Sequence, residues 1–368
     1  MFIDQFTDEA PFLYAAGDTP LPVLLEAPPG IGKTYNIENV VPRRLVNAGL
    51  MEQCPVVGFN LNTVEGPDVR GFLFPGKTAD GVATARFTRS PIAQAIIDTD
   101  SETGILLLDE RSQADHLIQK AIAEAIEARR IGDYAIPPGW WIVSCGNRLE
   151  DRSGVTRPLM HLRNREAVIQ IEPHAPGFIR WAEAVGNLHP MAVAYARWKP
   201  GAIQVEHVPI DPKPYPTYRS FTKAANYLAS KAGLNPDGTP NLQLPWDVTT
   251  MDVVAGLVGP AVAAEMAAYC KVASELPTLK EILASPEGAT VPDDNRLDAQ
   301  YAALSMCVHG ATPLNAEPIF KYVLRLRKEL QVSACVSLME KGGGALLNSP
   351  SIAKWITENR ALISASMS

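Results

Sequence analysis

Two stretches of this 368-residue chain carry residue types that can handle a nucleoside triphosphate. The first is Ala27-Pro28-Pro29-Gly30-Ile31-Gly32-Lys33-Thr34. It fits the phosphate-binding pattern GxxxxGK[ST], with Ala27 in place of the first glycine. Such a loop wraps phosphate oxygens from Pro29 through Gly32: the two glycines let backbone N–H groups curl inward, and the helix that follows adds its positive dipole end. Lys33 would neutralise the β- and γ-phosphates, and the Thr34 hydroxyl would ligate Mg²⁺. The second stretch is Gly104-Ile105-Leu106-Leu107-Leu108-Asp109-Glu110, four aliphatics ending in two carboxylates. Asp109 there would hold Mg²⁺ through water, and Glu110 would orient or polarise the attacking water. Each stretch alone has a plain alternative, a glycine turn with an incidental lysine or a strand leaving the core in charge. Asp109 follows Lys33 by 76 residues, room for an intervening strand and helices, and the combination reads as an ATP or GTP hydrolase site.

The elements that must position these residues are legible in outline. Leu21–Glu26 is a short apolar run ahead of the glycine loop and fits a buried parallel strand, with helix-compatible Tyr35–Val41 behind the loop. Pro55–Asn60 is the next strand. Residues 64–90 mix polar and apolar types with frequent glycine and no helical period, which predicts a hairpin-like insertion before a helix at Pro91–Ile97. Gly104–Leu108 is a further strand, Ala121–Glu127 a helix, Trp140–Gly146 a strand ending at Asn147, and Ala167–Ile171 a fifth strand. The expected fold class is α/β, built on a five-stranded parallel sheet.

Composition narrows the class further. A net charge of −7, with 46% apolar and 20% charged residues, describes a globular protein and argues mildly against bulk nucleic-acid binding. Asp4, Asp8 and Glu9 stand where a secretory leader needs positive charge and an apolar core. The most apolar stretch, Val253–Ala264, has twelve uncharged residues, short of the ~20 that span a bilayer. The five cysteines are scattered with no CxxC pair, and the six histidines are isolated. The expectation is a cytoplasmic protein with buried free thiols, no membrane span and no His/Cys metal site. The 31 prolines are spread along the chain and suggest short elements joined by defined turns.

With these motifs in place the chain resembles the AAA+ ATPases, and within them the MoxR-like group of the helix-2-insert clade. The more specific likeness lies in Asp109-Glu110-Arg111-Ser112-Gln113-Ala114-Asp115, with its helix and the turn at Ala128–Tyr134. It is similar to the family's DEINRA segment, with Arg111-Ser112-Gln113 in place of Ile-Asn-Arg. The resemblance makes Trp140–Asn147 the sensor 1 strand, whose Asn147 helps position water near the γ-phosphate. It also makes Leu162-Arg163-Asn164-Arg165-Glu166 the arginine-finger segment, with Glu166 where phenylalanine is usual. Arg165 matches best and Arg163 second, and either would reach the γ-phosphate held by the neighbouring subunit. Pro216–Ala224 is similar to the sensor 2 segment, so Arg219 would contact phosphate in cis from a lid helix. Read as plain residues, Asn147 is a turn cap, Arg165 a surface partner of Glu166, and Arg219 a solvated arginine at a helix start.

These matches span residues 20–230. They imply a P-loop AAA+ core over residues 1–210, carrying the hairpin-like insertion at about 64–90, and an α-helical lid with a C-terminal helical extension over 211–368. ATP and Mg²⁺ would sit between core and lid in a homo-oligomeric ring, a hexamer, that remodels a protein client. The family often approaches its client through a partner carrying a von Willebrand A-type domain. A nucleic-acid AAA+ motor or loader is the alternative, and a non-hydrolysing nucleotide scaffold a third reading.

The last third reads as helical: Thr250–Ser274 with a kink at Gly259-Pro260, Pro277–Leu283, Asn295–Val308, and Glu317–Leu330. In the last of these Ile319, Val323, Leu326 and Leu330 share one apolar face, opposite Lys321, Arg325 and Lys328. Gly342–Gly344 breaks the pattern before a final helix near Ile352–Leu362.

Overall fold

The computed structural model describes residues 1–151, 163–342 and 349–367. Leu162 of the arginine segment and Gly343 and Gly344 of the glycine run lie outside the described residues. The chain divides into two compact units, Met1–Pro173 with Glu206–Val208, and His174–Val205 with Pro209–Ser368. The division expected near residue 210 differs from this by the helices at 175–198, which belong with the helical unit.

The first unit opens with helix α1 (Ile3–Tyr14), strand β1 (Val23–Glu26), helices α2 (Lys33–Asn39) and α3 (Val41–Asn47), and β2 (Val56–Asn60). After a short α4 (Gly66–Arg70), β3 (Leu73–Lys77) and β4 (Ala83–Phe87) pair antiparallel as a hairpin, followed by α5 (Pro91–Asp98). Phe72, Leu73, Phe74 and Val82 on that hairpin are exposed. Next come β5 (Thr103–Asp109), α6 (His116–Ala128), the small β6 (Arg130–Ile131) and β7 (Tyr134–Ala135), β8 (Gly139–Gly146) and β9 (Ala167–Gln170).

Five of these strands form one parallel sheet in the order β2-β5-β8-β1-β9. Its central strands are buried along their length, which is why Leu24-Leu25, Ile105–Leu108 and Trp140–Val143 read as unbroken apolar runs. The two tryptophans of β8 are fully buried with their indole N–H groups satisfied: Trp140 donates to the Ser101 carbonyl at 2.9 Å and Trp141 to that of Leu21 at 2.7 Å. The register sets Glu26 beside Gly146 and Gln170, and Asn60 beside Asp109. All five strands thus end at one carboxyl edge, where an α/β sheet binds its ligand.

The second unit is helical: α7 (Ala175–Ala184), α8 (Pro190–Trp198), α9 (Tyr218–Ala232), α10 (Val248–Val258), α11 (Pro260–Cys270), α12 (Leu279–Ala284), α13 (Leu297–Gly310), α14 (Ala316–Val323), α15 (Lys328–Gly342) and α16 (Pro350–Met367). Two expectations need correction. The segment from Thr250 is not one kinked helix but two, separated by Gly259 at φ 88°, with Pro260 opening the second. Only glycine suits that backbone, and a Cβ there would lie 2.8 Å from the Pro214 carbonyl oxygen. Glu317–Leu330 is likewise interrupted, by a turn at 324–327. The Gln331 amide donates to the carbonyls of Leu324 and Leu326, and Arg325 donates to those of Pro286 and Ala289. Ile319, Val323, Leu326 and Leu330 are nevertheless all buried in one cluster. No helix among the described residues is long and apolar enough to cross a membrane.

His189 caps α8 from a buried site. Its Nδ1 accepts from the Met191 N–H at 3.2 Å and its Nε2 lies 3.1 Å from the Asn241 carbonyl oxygen, which assigns a neutral ring with hydrogen on Nε2. Burial pushes the imidazole down from 6.5 to about 4; the Asn241 carbonyl opposes the shift and His309 adds to it. Between those values the unfolded chain binds a proton that the folded one refuses, so stability falls as pH drops through the window. The expected loss is about 3 kcal/mol for the unit that holds it. Urea unfolding followed from pH 7 to pH 4 should show it, and His189→Gln should flatten the slope. An unchanged slope would remove His189 from the acid response.

Candidate active site

The site begins where β1 ends. The Ala27 N–H donates to the Gly146 carbonyl at 3.2 Å, tying the start of the loop to β8. Gly30 and Gly32 adopt φ of 78° and 95°, conformations that a side chain would strain, and Gly32 leads directly into α2 at Lys33. The Ala27 methyl, where the pattern has a glycine, is fully buried.

Lys33 is folded into its own loop. Its ammonium donates to the carbonyls of Ala27 (3.0 Å) and Pro28 (3.2 Å) and to Asn147 Oδ1 (3.1 Å). Burial lowers its pKa, while the charges of Cys145, Glu110, Asp109 and Asp151 pull the other way. A cation on three neutral oxygens gains from a nearby anion, and a phosphate chain against the loop supplies one.

Thr34 Oγ1 donates to Asp109 Oδ2 at 2.6 Å. Hydroxyl and carboxylate are hard oxygen donors side by side at the sheet edge, and Mg²⁺ is typically held by one or two such groups plus water and substrate phosphates. The donor set fits that ion, with Thr34 and Asp109 as the residues that would hold it.

Glu110 turns away from the strand with φ 52° and ψ 31°, a left-handed conformation that costs a non-glycine residue about 1–3 kcal/mol. Its Oε2 accepts from Asn147 Nδ2 at 3.3 Å. The Asn147 amide therefore bridges Lys33 on one side and Glu110 on the other, while its backbone N–H donates to Ser112 Oγ at 2.8 Å. Lys33, Thr34, Asp109, Glu110 and Asn147 are thus brought together by α2, β5 and β8.

Arg163 pairs with Glu26 at 2.9 Å and Arg165 with Glu127 at 2.5 Å; their side chains are 38% and 42% exposed. The plain reading that pairs Arg165 with Glu166 is corrected here, because Glu166 turns inward to a buried pair with Arg111. Arg219 sits in the other compact unit, exposed in the first turn of α9 behind its Thr217 cap. A cation at a helix N-terminus opposes the macrodipole, so helix stability does not explain it.

Three groups around the site escape sequence reasoning. Glu26 accepts from both Arg163 and Gln170. Arg148, next to Asn147, is held by Asp151 and donates to the Glu206 carbonyl at 2.7 Å. The Arg111–Glu166 pair is the third. Its signal is present, since both residues depart from the resembled family's pattern toward charge, but nothing local joins them.

A phosphate loop between a sheet strand and a helix N-terminus, with an Asp-Glu pair closing a nearby parallel strand, defines a P-loop α/β nucleotide-binding fold. No protein-family model and no curated protein matches the chain. Among solved structures it is similar to a point mutant of RuvB from Thermotoga maritima, at 16% identity and a TM-score of 0.39, over 81% of this chain and 82% of that one. It is also similar to NtrX from Brucella abortus in complex with ADP, at 17% identity and a TM-score of 0.38, over 91% of this chain and 67% of that one. The Thermotoga maritima RuvB described as a Holliday junction branch migration motor is 13% identical, with a TM-score of 0.31 over 98% of this chain and 97% of that one. Likenesses this loose carry no argument about what the chain does.

Proposed function

We propose that the chain is an AAA+ ATPase of the MoxR-like kind, a hexameric ring that hydrolyses ATP with Mg²⁺ and uses the turnover to remodel a protein client. The observation that supports the ATPase part of this reading is the bonded line Lys33–Asn147–Glu110 beside the Thr34–Asp109 pair, all at the carboxyl edge of the sheet. The hexamer and the MoxR-like kind rest on the sequence resemblance. Glycine loop and Lys33 bind the phosphates. Mg²⁺ on Thr34 and Asp109 would offset charge on the β- and γ-oxygens. Asn147 and Glu110 hold a water in line with the γ-phosphorus, and Glu110 takes its proton as the new P–O bond forms and ADP leaves. Arg165, with Arg163 as the second candidate, supplies positive charge to the neighbour's γ-phosphate; their exposure supports that assignment. The assignment of Arg219 to a cis phosphate contact rests on the sequence resemblance alone. The client, and a partner with a von Willebrand A-type domain that presents it, rest on the sequence resemblance alone.

If the arginine acts between subunits, ATP turnover per subunit rises with protein concentration through the range where the ring assembles. A rate per subunit that stays constant on dilution sinks the trans arrangement. Stimulation by DNA would favour the nucleic-acid motor over the protein remodeller.

A further inference from the structure

Arg111 follows Glu110, and Glu166 follows Arg165. These neighbours of two functional positions, 55 residues apart in sequence, meet in a two-pronged pair: Nη1 donates to Glu166 Oε2 at 2.5 Å and Nη2 to Oε1 at 2.9 Å. Both side chains are buried, at 8% and 1% exposure. Nη1 also donates to Ser144 Oγ on β8 at 3.1 Å. The next residue, Ser112, accepts the Asn147 N–H and fills the space over Gly146, where an added Cβ would lie 3.1 Å from the Ser112 Cβ. One tight turn therefore touches the strand of Asn147, the acid Glu110 and the arginine segment.

Stability does not account for the charges. Desolvating both groups is costly, and apolar residues of similar volume in such a place are often neutral or stabilising. What a planar fork supplies is direction, since two parallel bonds fix both the separation and the orientation of the turns they join.

We propose that the Arg111–Glu166 pair is a positioning device that locks the turn bearing Glu110 to the turn bearing Arg163 and Arg165. The acid that serves a subunit's own nucleotide and the arginines offered to its neighbour then move as one body. The proposal rests on the ATPase reading above.

Glu166→Gln, the double change Arg111→Met with Glu166→Leu, and Glu166→Gln in an Arg165→Ala background separate this from a structural role. Thermal stability, binding of a fluorescent ATP analogue, kcat, and tryptic cleavage after Arg163 are read for each. Glu166→Gln should lower kcat about tenfold or more with nucleotide affinity unchanged. It should add nothing once Arg165 is gone. The apolar double should regain thermal stability but not kcat, and trypsin should cut it faster than the wild type after Arg163, whose following residue Asn164 is unchanged. Wild-type kcat and wild-type cutting in a stable double would overturn the proposal, as would full additivity of Glu166→Gln with Arg165→Ala. If the wild type hydrolyses no ATP, the ATPase reading falls by itself. Cleavage then decides the lock: faster cutting in Glu166→Gln or the double upholds it, and unchanged cutting in both overturns it.

Discussion

Glu110→Gln is expected to lower ATP turnover by about 10²–10⁴-fold while leaving ATP binding intact, the range a positioned proton acceptor contributes. The substitution is nearly isosteric, and the glutamine carbonyl can still accept from Asn147 Nδ2, which now bonds Glu110 Oε2 at 3.3 Å. What disappears is the capacity to take the proton of the attacking water. The phosphate loop, Lys33 and the Thr34–Asp109 pair are untouched, so binding of a fluorescent ATP analogue should match the wild type while single-turnover hydrolysis collapses. The same variant should dwell in its ATP-bound state and retain its protein client in a pull-down. Hydrolysis at the wild-type rate would remove Glu110 from the chemistry and shift attention to Asn147. Parallel loss of binding and turnover would mean instead that the left-handed turn at Glu110 shapes the nucleotide pocket itself.

That site was legible because its parts are local. Four aliphatics running into Asp109-Glu110, and a short apolar strand running into a glycine loop and Lys33, are contiguous patterns with one structural solution. Asn147 was legible for the same reason, as the polar end of an apolar strand. Features set by distant partners were not. Arg111 and Glu166 show in sequence only as misplaced charges; their pairing needs β5, β8 and β9 to be assembled first. The break at 324–327 depends on Gln331 and on carbonyls at 286 and 289 that no helical period reveals. Gly259-Pro260 looked like a kink because periodicity is silent on φ, whereas a glycine at φ 88° before a proline ends one helix and starts another. The helices at 175–198 belong with the helical unit although the motif order places them with the sheet, and Tyr195 shows why: it packs on Phe221 and Tyr269 and donates to Glu265, all in that unit.

Arg165→Ala should reduce kcat by about 10³-fold or more, the value of an arginine delivered to a developing γ-phosphate charge, whereas Arg163→Ala should reduce it far less. The asymmetry comes from what holds each side chain. Arg163 is bound to Glu26, a largely buried carboxylate that also accepts from Gln170. Removing Arg163 strips a partner from that carboxylate, so its effect should appear mainly as lost stability of the sheet edge. Arg165 instead pairs with Glu127 on α6, where both side chains are more than a third exposed. Such pairs are worth about 0–1 kcal/mol, so Arg165 gives up its partner cheaply when a neighbour presents a nucleotide. Mixing makes the case stringent. Arg165→Ala subunits keep an intact nucleotide site, and Lys33→Ala subunits keep an intact arginine; each alone should be inactive, but a mixed ring places one's arginine beside the other's site and should recover turnover. Recovery requires that the arginine act between subunits. Failure of the mixture, with both variants folded and co-assembled, would place Arg165 in its own subunit's site, and a large kcat loss in Arg163→Ala with none in Arg165→Ala would exchange the two roles.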